Sequence, residues 1–113
     1  MSMTLKTDEI KEIQEAYFYL INYESDDPQA PIDPLTYIDS NGDNLLHIAA
    51  RRGDLRTVEL LVGAGMDVNK TGDMELTPLH YAYQSENPEV IKLLLNNGAS
   101  KELQDGFGKL PGE

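Results

Sequence analysis

Laid against itself at an offset of 33, the chain sets His47 on His80, Ala49 on Ala82, Val58 on Ile91, Leu60-Leu61 on Leu93-Leu94 and Gly65 on Gly98. Each unit reads as a short helix, a tight turn, a longer helix and a glycine stop. One such unit cannot bury its own apolar face, so neighbours must stack. Thr77 predicts an N-cap with Pro78 at the first helical position, and Asn87-Pro88 repeats the device for the following helix. Gly65 and Gly98 fall where the second helices must end in a left-handed residue. An extended connector is expected after each.

Upstream, Ile10, Ile13, Tyr17, Leu20 and Ile21 fall on one side at helical spacing, with Glu9, Glu12 and Glu15 elsewhere and Thr7 or Asp8 as the cap. This pattern is read as out of register with the repeats. It predicts an acidic amphipathic helix, within residues 1–23, that caps the stack. Pro28, Pro31 and Pro34 forbid a continuing helix, so residues 24–35 are expected to form a semi-rigid acidic connector. The repeats then occupy residues 36–113.

These residues carry a resemblance. Thr77-Pro78-Leu79-His80-Tyr81-Ala82, followed by Val90-Ile91-Lys92-Leu93-Leu94-Leu95-Asn96-Asn97-Gly98-Ala99, resembles an ankyrin repeat, and Asn44-Leu45-Leu46-His47-Ile48-Ala49-Ala50 resembles it almost as well. Asp39-Ser40-Asn41-Gly42 and Asp105-Gly106-Phe107-Gly108-Lys109-Leu110-Pro111 are similar to the family's hairpin fingers. The implied fold is an all-α ankyrin solenoid of helix-turn-helix units and hairpin fingers: two full repeats and a closing finger. The chain departs from the family pattern at Leu45, which stands for a proline, at Glu75 and Glu86, which stand for turn glycines, and at Gly72, which stands for the finger aspartate.

Composition narrows the function. With 113 residues the chain has room for one domain, and its formal net charge is −11. Residues 1–46 hold ten acidic and two basic side chains, a net −8, against a net −3 for the remainder. Partners bound through phosphates would approach against this field, so neither nucleic acid nor an anionic membrane is expected. The absence of cysteine excludes disulfides and thiolate chemistry, and the opening Met-Ser-Met-Thr-Leu-Lys-Thr lacks the apolar core of a secretory signal. A cytoplasmic setting is expected.

Chemistry finds little purchase. His47 and His80 occupy the same place in successive units, and helices packing about 8–10 Å apart do not bring both onto one zinc. A structural role at the helix start is expected instead. Asp39-Ser40-Asn41-Gly42-Asp43-Asn44 opens like a calcium loop, but Asn44 stands at the glycine position and Ala50 at the bidentate glutamate, so turn chemistry explains it better. No nucleophile elbow or phosphate loop is present, and the carboxylates Glu12 and Glu15 belong to a solvated helix face. No enzyme, cofactor or metal is expected.

What remains is recognition of another protein. In ankyrin repeats partners are held by finger tips and by the exposed ends of the inner helices. Carried over, these are Ile38, Ser40, Asn41, Asp43, Arg51 and Arg52 in the first unit, and Thr71, Asp73, Met74, Leu76, Gln84 and Ser85 in the second. The last finger adds Gln104, Gly106, Phe107 and Lys109. Met74, Leu76 and Phe107 are apolar at such positions and are candidate hot spots, although Phe107 could equally fold over the open end. Tyr19 and Tyr23 are further exposed candidates. The expected function is non-catalytic binding of a basic protein by a monomer or in a 1:1 complex. Its size and charge resemble those of bacterial immunity proteins that cover a toxin such as a nuclease; a general interaction adaptor is the alternative.

Overall fold

A computed structural model of the protein describes residues 4–113. The opening residues, Met1 to Met3, on which the reading of a missing secretory signal partly rests, lie outside the described residues. Among the described residues the helices are α1 (Thr7–Ala16), α2 (Leu45–Arg52), α3 (Leu55–Gly63), α4 (Pro78–Ser85) and α5 (Pro88–Asn96), with a 3₁₀ turn at Asp73–Glu75. None of these helices is long and apolar enough to cross a membrane. A two-residue turn joins α2 to α3 and another joins α4 to α5. The pairs stack α2 on α4 and α3 on α5, which is the all-α solenoid that the repeat implies.

The core runs along this stack. Leu45, Leu46, Ile48, Ala49 and Ala50 of α2, Val58 and Leu61 of α3, Leu79, Tyr81 and Ala82 of α4, and Val90 and Leu94 of α5 are buried. Burial of every α2 position from Leu45 to Ala50 means that this helix is covered on both sides. The second cover comes from upstream, where Ile13, Tyr17 and Ile32 join the same core at 1%, 1% and 2% exposure.

The repeat helices start as their sequences demand. Asn44 Oδ1 accepts from the His47 amide at 3.0 Å, and His47 Nδ1 accepts from the Asn44 amide at 2.9 Å. Thr77 and His80 repeat the pair, with His80 Nδ1 accepting from the Thr77 amide at 3.0 Å. Leu45 in place of proline does no harm, because the cap itself fixes the start. Gly65 and Gly98 both take φ +93, and the amides of Met66 and Ala99 behind them close the helix ends onto Leu61 and Leu94.

The departures from the family pattern have physical consequences. Glu86 adopts φ 55 at the end of α4, the left-handed place that Gly53 fills after α2 at φ 69. The middle finger turns through Met74 at φ 52 and Glu75 at φ 60, both left-handed without a glycine. Its Gly72 leaves room for its neighbours: a Cβ there would collide with Asp43 Oδ1 and crowd the His47 ring, so one of them would have to shift.

The N-terminal region differs from its expected form. The helix stops at Ala16, and Leu20 and Ile21 lie beyond it. Tyr17 leaves helical geometry at φ −118, the last turn holds no basic residue to meet the helix dipole, and Tyr17-Phe18-Tyr19 is a poor helix-forming run. Lys6 is the N-cap, ahead of Thr7 and Asp8, because the Glu9 carboxylate reaches back to its amide at 2.8 Å. Residues 17–35 form an irregular loop that contributes Ile32 to the core, tied to α1 by Gln14 Nε2 donating to the Ile32 carbonyl at 2.9 Å. Polar and ring contacts join α1 and its end to the first repeat. The Tyr17 hydroxyl donates to Asp54 at 2.9 Å, Arg56 pairs with Glu12 at 3.1 Å, and Arg52 lies 4.5 Å above the Tyr17 ring.

Candidate functional site

The fingers precede α2 and α4 and end the chain. In the first, Asp39 Oδ1 accepts from the Asn41 and Asp43 amides, both at 2.9 Å, and the Asp39 amide donates to the Asp43 carbonyl. Asp105 builds the last finger identically, accepting from the amides of Phe107 at 2.8 Å and Lys109 at 3.0 Å. Those amides hold the Asp105 carboxyl below the usual range. The middle finger lacks such a carboxylate, and Asp43 supplies it: the Asp73 amide donates to Asp43 Oδ1 at 2.9 Å. The Gly106 amide in turn donates to the Met74 carbonyl at 2.7 Å, so the three fingers are joined as one row.

At equivalent positions along this row stand Asn41, Met74 and Phe107, all exposed. Phe107 is 71% exposed and so does not fold over the open end; Met74 is 56% exposed. Ile38, Ser40, Thr71, Gln104, Gly106 and Lys109 are exposed beside them, and Asp73 and Leu76 are half-buried. At the far ends of the inner helices Arg51 and Gln84 are exposed, whereas Ser85 is half-buried with its hydroxyl on the Ala82 carbonyl at 2.8 Å.

Two of the expected partner-binding residues have other work. Asp43 is 1% exposed, and beyond the Asp73 amide its carboxylate accepts from the Tyr81 hydroxyl at 2.8 Å; burial, and after it this bond, push that phenol up. It is an internal strut between repeats and is closed to a partner. Arg52 keeps its surface exposure but is held between the Tyr17 and Tyr19 rings, donating to the Tyr19 hydroxyl at 3.1 Å. Sequence reasoning missed both because each bond spans more than 30 residues.

The histidines are committed as well. Since Nδ1 accepts a backbone proton, Nε2 carries the hydrogen, which His47 donates to the Lys70 carbonyl at 2.6 Å and His80 to the Lys109 carbonyl at 3.0 Å. Each pins the next finger to the helix behind it. Burial pushes the His47 imidazole below its ordinary value, consistent with this neutral form. In the calcium-like run, Asp39 Oδ1 is used by the finger amides and both Asp43 oxygens by the Asp73 amide and the Tyr81 hydroxyl. Among the described residues no group of three or more histidine or acidic side chains is arranged around a metal position.

The model of ankyrin repeats (3 copies) matches residues 12–105, most of the chain. The chain belongs to the ankyrin-repeat family. It is 34% identical over 80 residues, 71% of its length, to an ankyrin and IPT/TIG repeat-containing protein of Schizosaccharomyces pombe, and covers 7% of that protein. It is 33% identical over 79 residues to human protein phosphatase 1 regulatory subunit 27, covering 70% of this chain and 51% of that one. It is 39% identical over 67 residues to human ankyrin repeat domain-containing protein 40, 58% of this chain and 18% of the other. The chain thus spans about half or less of the relatives it matches here. Its repeats make it a protein-interaction module.

Proposed function

We propose that this ankyrin module binds a basic protein partner stoichiometrically and without catalysis. The finger row and the exposed inner-helix ends are its contact surface, and residues 4–35 act as the cap of the stack. The observation that carries the reading is the pair Met74 and Phe107, exposed at equivalent tips of a rigid row on a chain of net charge −11. Acidic charge steers a basic partner mainly by speeding encounter, whereas apolar anchors act after contact. A cytoplasmic setting and a 1:1 complex belong to the same reading.

Regulatory and adaptor binding is favoured over inhibition of a toxin, because the relatives named above include a phosphatase regulatory subunit. An immunity protein covering a basic nuclease is a special case of the same surface. The test is to isolate the bound protein from the source cell and follow association and dissociation of the purified pair. Raising salt to physiological strength, where the Debye length is about 8 Å, is expected to slow association with little change in dissociation. Met74→Ala and Phe107→Ala are each expected to speed dissociation by a factor reflecting about 2 kcal/mol. An acidic partner, or association indifferent to salt, overturns the electrostatic half.

A further inference from the structure

In the two repeats each inner helix is followed at once by an outer one, α3 after α2 and α5 after α4, whereas α1 is followed by the irregular loop of residues 17–35. Where the second helix is missing, large apolar side chains stay uncovered. Phe18 is 78% exposed, and Tyr19, Ile21 and Tyr23 are each more than half exposed. A cleft of about 580 Å³ lies between residues 18–21 and the Pro28-Gln29 stretch. A smaller hollow shares Phe18, Leu20 and Gln29 with it and continues inward to Tyr17 and Ile32. The walls are tied together: the Asn22 amide donates to the Pro28 carbonyl at 2.9 Å and Asn22 Nδ2 to the Pro31 carbonyl at 2.8 Å. The cleft is therefore formed before anything enters it, which lowers the ordering cost of binding.

Its surroundings are predominantly acidic. Glu15, Glu24, Asp26 and Asp27 are exposed on the segments that make or adjoin the walls, and no lysine or arginine occurs between Lys11 and Arg51. Arg52, the cation that does reach this region, is occupied by Tyr17, Tyr19 and the Ala16 carbonyl. A second copy of the chain would bring the same acidic rim and a net −11 against its own likeness. We propose that this cleft is a second docking site, separate from the finger row, for a short cationic segment of a partner protein that inserts an apolar side chain against Phe18 and Ile21. The apolar floor supplies the anchor, and the acidic rim selects lysine- or arginine-rich sequence around it.

The full chain, labelled for amide NMR, is titrated with three synthetic probes: a Lys-Leu-Lys-Lys-Leu-Lys peptide, the same peptide with serine for leucine, and the same peptide with glutamate for lysine. The expected result is saturable shifts confined to residues 14–32 with the first probe, and none with the other two. Phe18→Ser and Ile21→Ser weaken that binding roughly tenfold or more, and Glu24→Lys with Asp26→Lys weakens it comparably. Because Phe18 and Ile21 face solvent, an unchanged thermal melt checks that these variants fold. Met74→Ala and Phe107→Ala leave this binding unchanged. Shifts that centre on the fingers, binding of the serine peptide equal to that of the leucine peptide, or a dimer in sedimentation abolished by Phe18→Ser overturn the proposal. Salt-dependent association of the natural partner with the finger row is decided separately by the kinetic experiment above.

Discussion

Asp43 and Gly72 show how closely two residues in different repeats depend on each other. The buried carboxylate serves the Asp73 amide and the Tyr81 hydroxyl at once, and Gly72 leaves it room. Gly72→Ala is expected to destabilise the protein by about 1–3 kcal/mol, since the added methyl meets Asp43. Asp43→Ala is expected to cost about 2–3 kcal/mol by leaving a hydroxyl and an amide without their acceptor. In the double variant the collision with Asp43 disappears and only the crowding of the His47 ring remains, so the combined loss should fall short of the sum by about 1 kcal/mol. Urea unfolding of the four proteins measures this, and strict additivity would show that the two residues do not share a site. At His47 the consequence is a pH dependence. The imidazole is held below its unfolded value of about 6.5 by burial, with the Lys70 carbonyl, Asp43 and Asp39 opposing in part and the Lys70 ammonium adding to the shift. The unfolded chain therefore binds the proton more readily, and stability is present above about pH 6.5 and lost on acidification below it. Denaturation midpoints that fail to fall between about pH 7.5 and about pH 5.5, or a fall of equal size in His47→Gln, would refute this assignment.

At the scale of elements, the repeat helices were legible because caps, glycine stops and apolar spacing all agree within each unit. Asn44, Thr77 and Asn87 start helices where their types require, and the histidine at each inner helix does the structural work expected of it. The length of α1 was not legible. Apolar residues at helical spacing continue to Ile21, but that periodicity cannot register that Tyr17 is held out of the helix by Asp54 and the core. Nor did the sequence reveal that the period reaches upstream: Ile13 stands 33 residues before Leu46, itself 33 before Leu79, and all three are buried. The family match beginning at residue 12 agrees with that register. Glu86 gives the element scale its own test. A non-glycine side chain in the left-handed region costs about 1–2 kcal/mol, and glycine gives back part of that gain through its freer unfolded chain. Glu86→Gly is thus expected to stabilise by about 1 kcal/mol, read as a raised denaturation midpoint. A neutral or destabilising result would mean that the Glu86 carboxylate has a compensating role.

For the whole molecule, the question is what completes a stack whose two full repeats fall below the usual minimum of about three. Ile13, Tyr17 and Ile32 bury themselves against the first repeat, and the Tyr17 hydroxyl reaches the very carboxylate that caps α3 through Thr57. Burial and that carboxylate raise the Tyr17 phenol far above its ordinary value, so the hydroxyl keeps the proton it donates well into the alkaline range. The sequence disclosed the need for a cap and its acidic, amphipathic character. It could not disclose that part of the cover comes from the proline-rich loop, because Ile32 is an isolated apolar residue among turn formers. Loss of residues 1–23 removes Ile13 and Tyr17, two of these three buried side chains, and leaves the first repeat partly uncovered. The truncated chain is expected to aggregate or melt at a much lower temperature. Tyr17→Phe, which keeps the ring and loses only the bond to Asp54, is expected to cost about 1.5–3 kcal/mol and to remain monomeric. Sedimentation and thermal melts of both variants separate the two contributions. A monomeric truncation with an unchanged transition would mean that the repeats stand alone and that the N-terminal segment exists for binding.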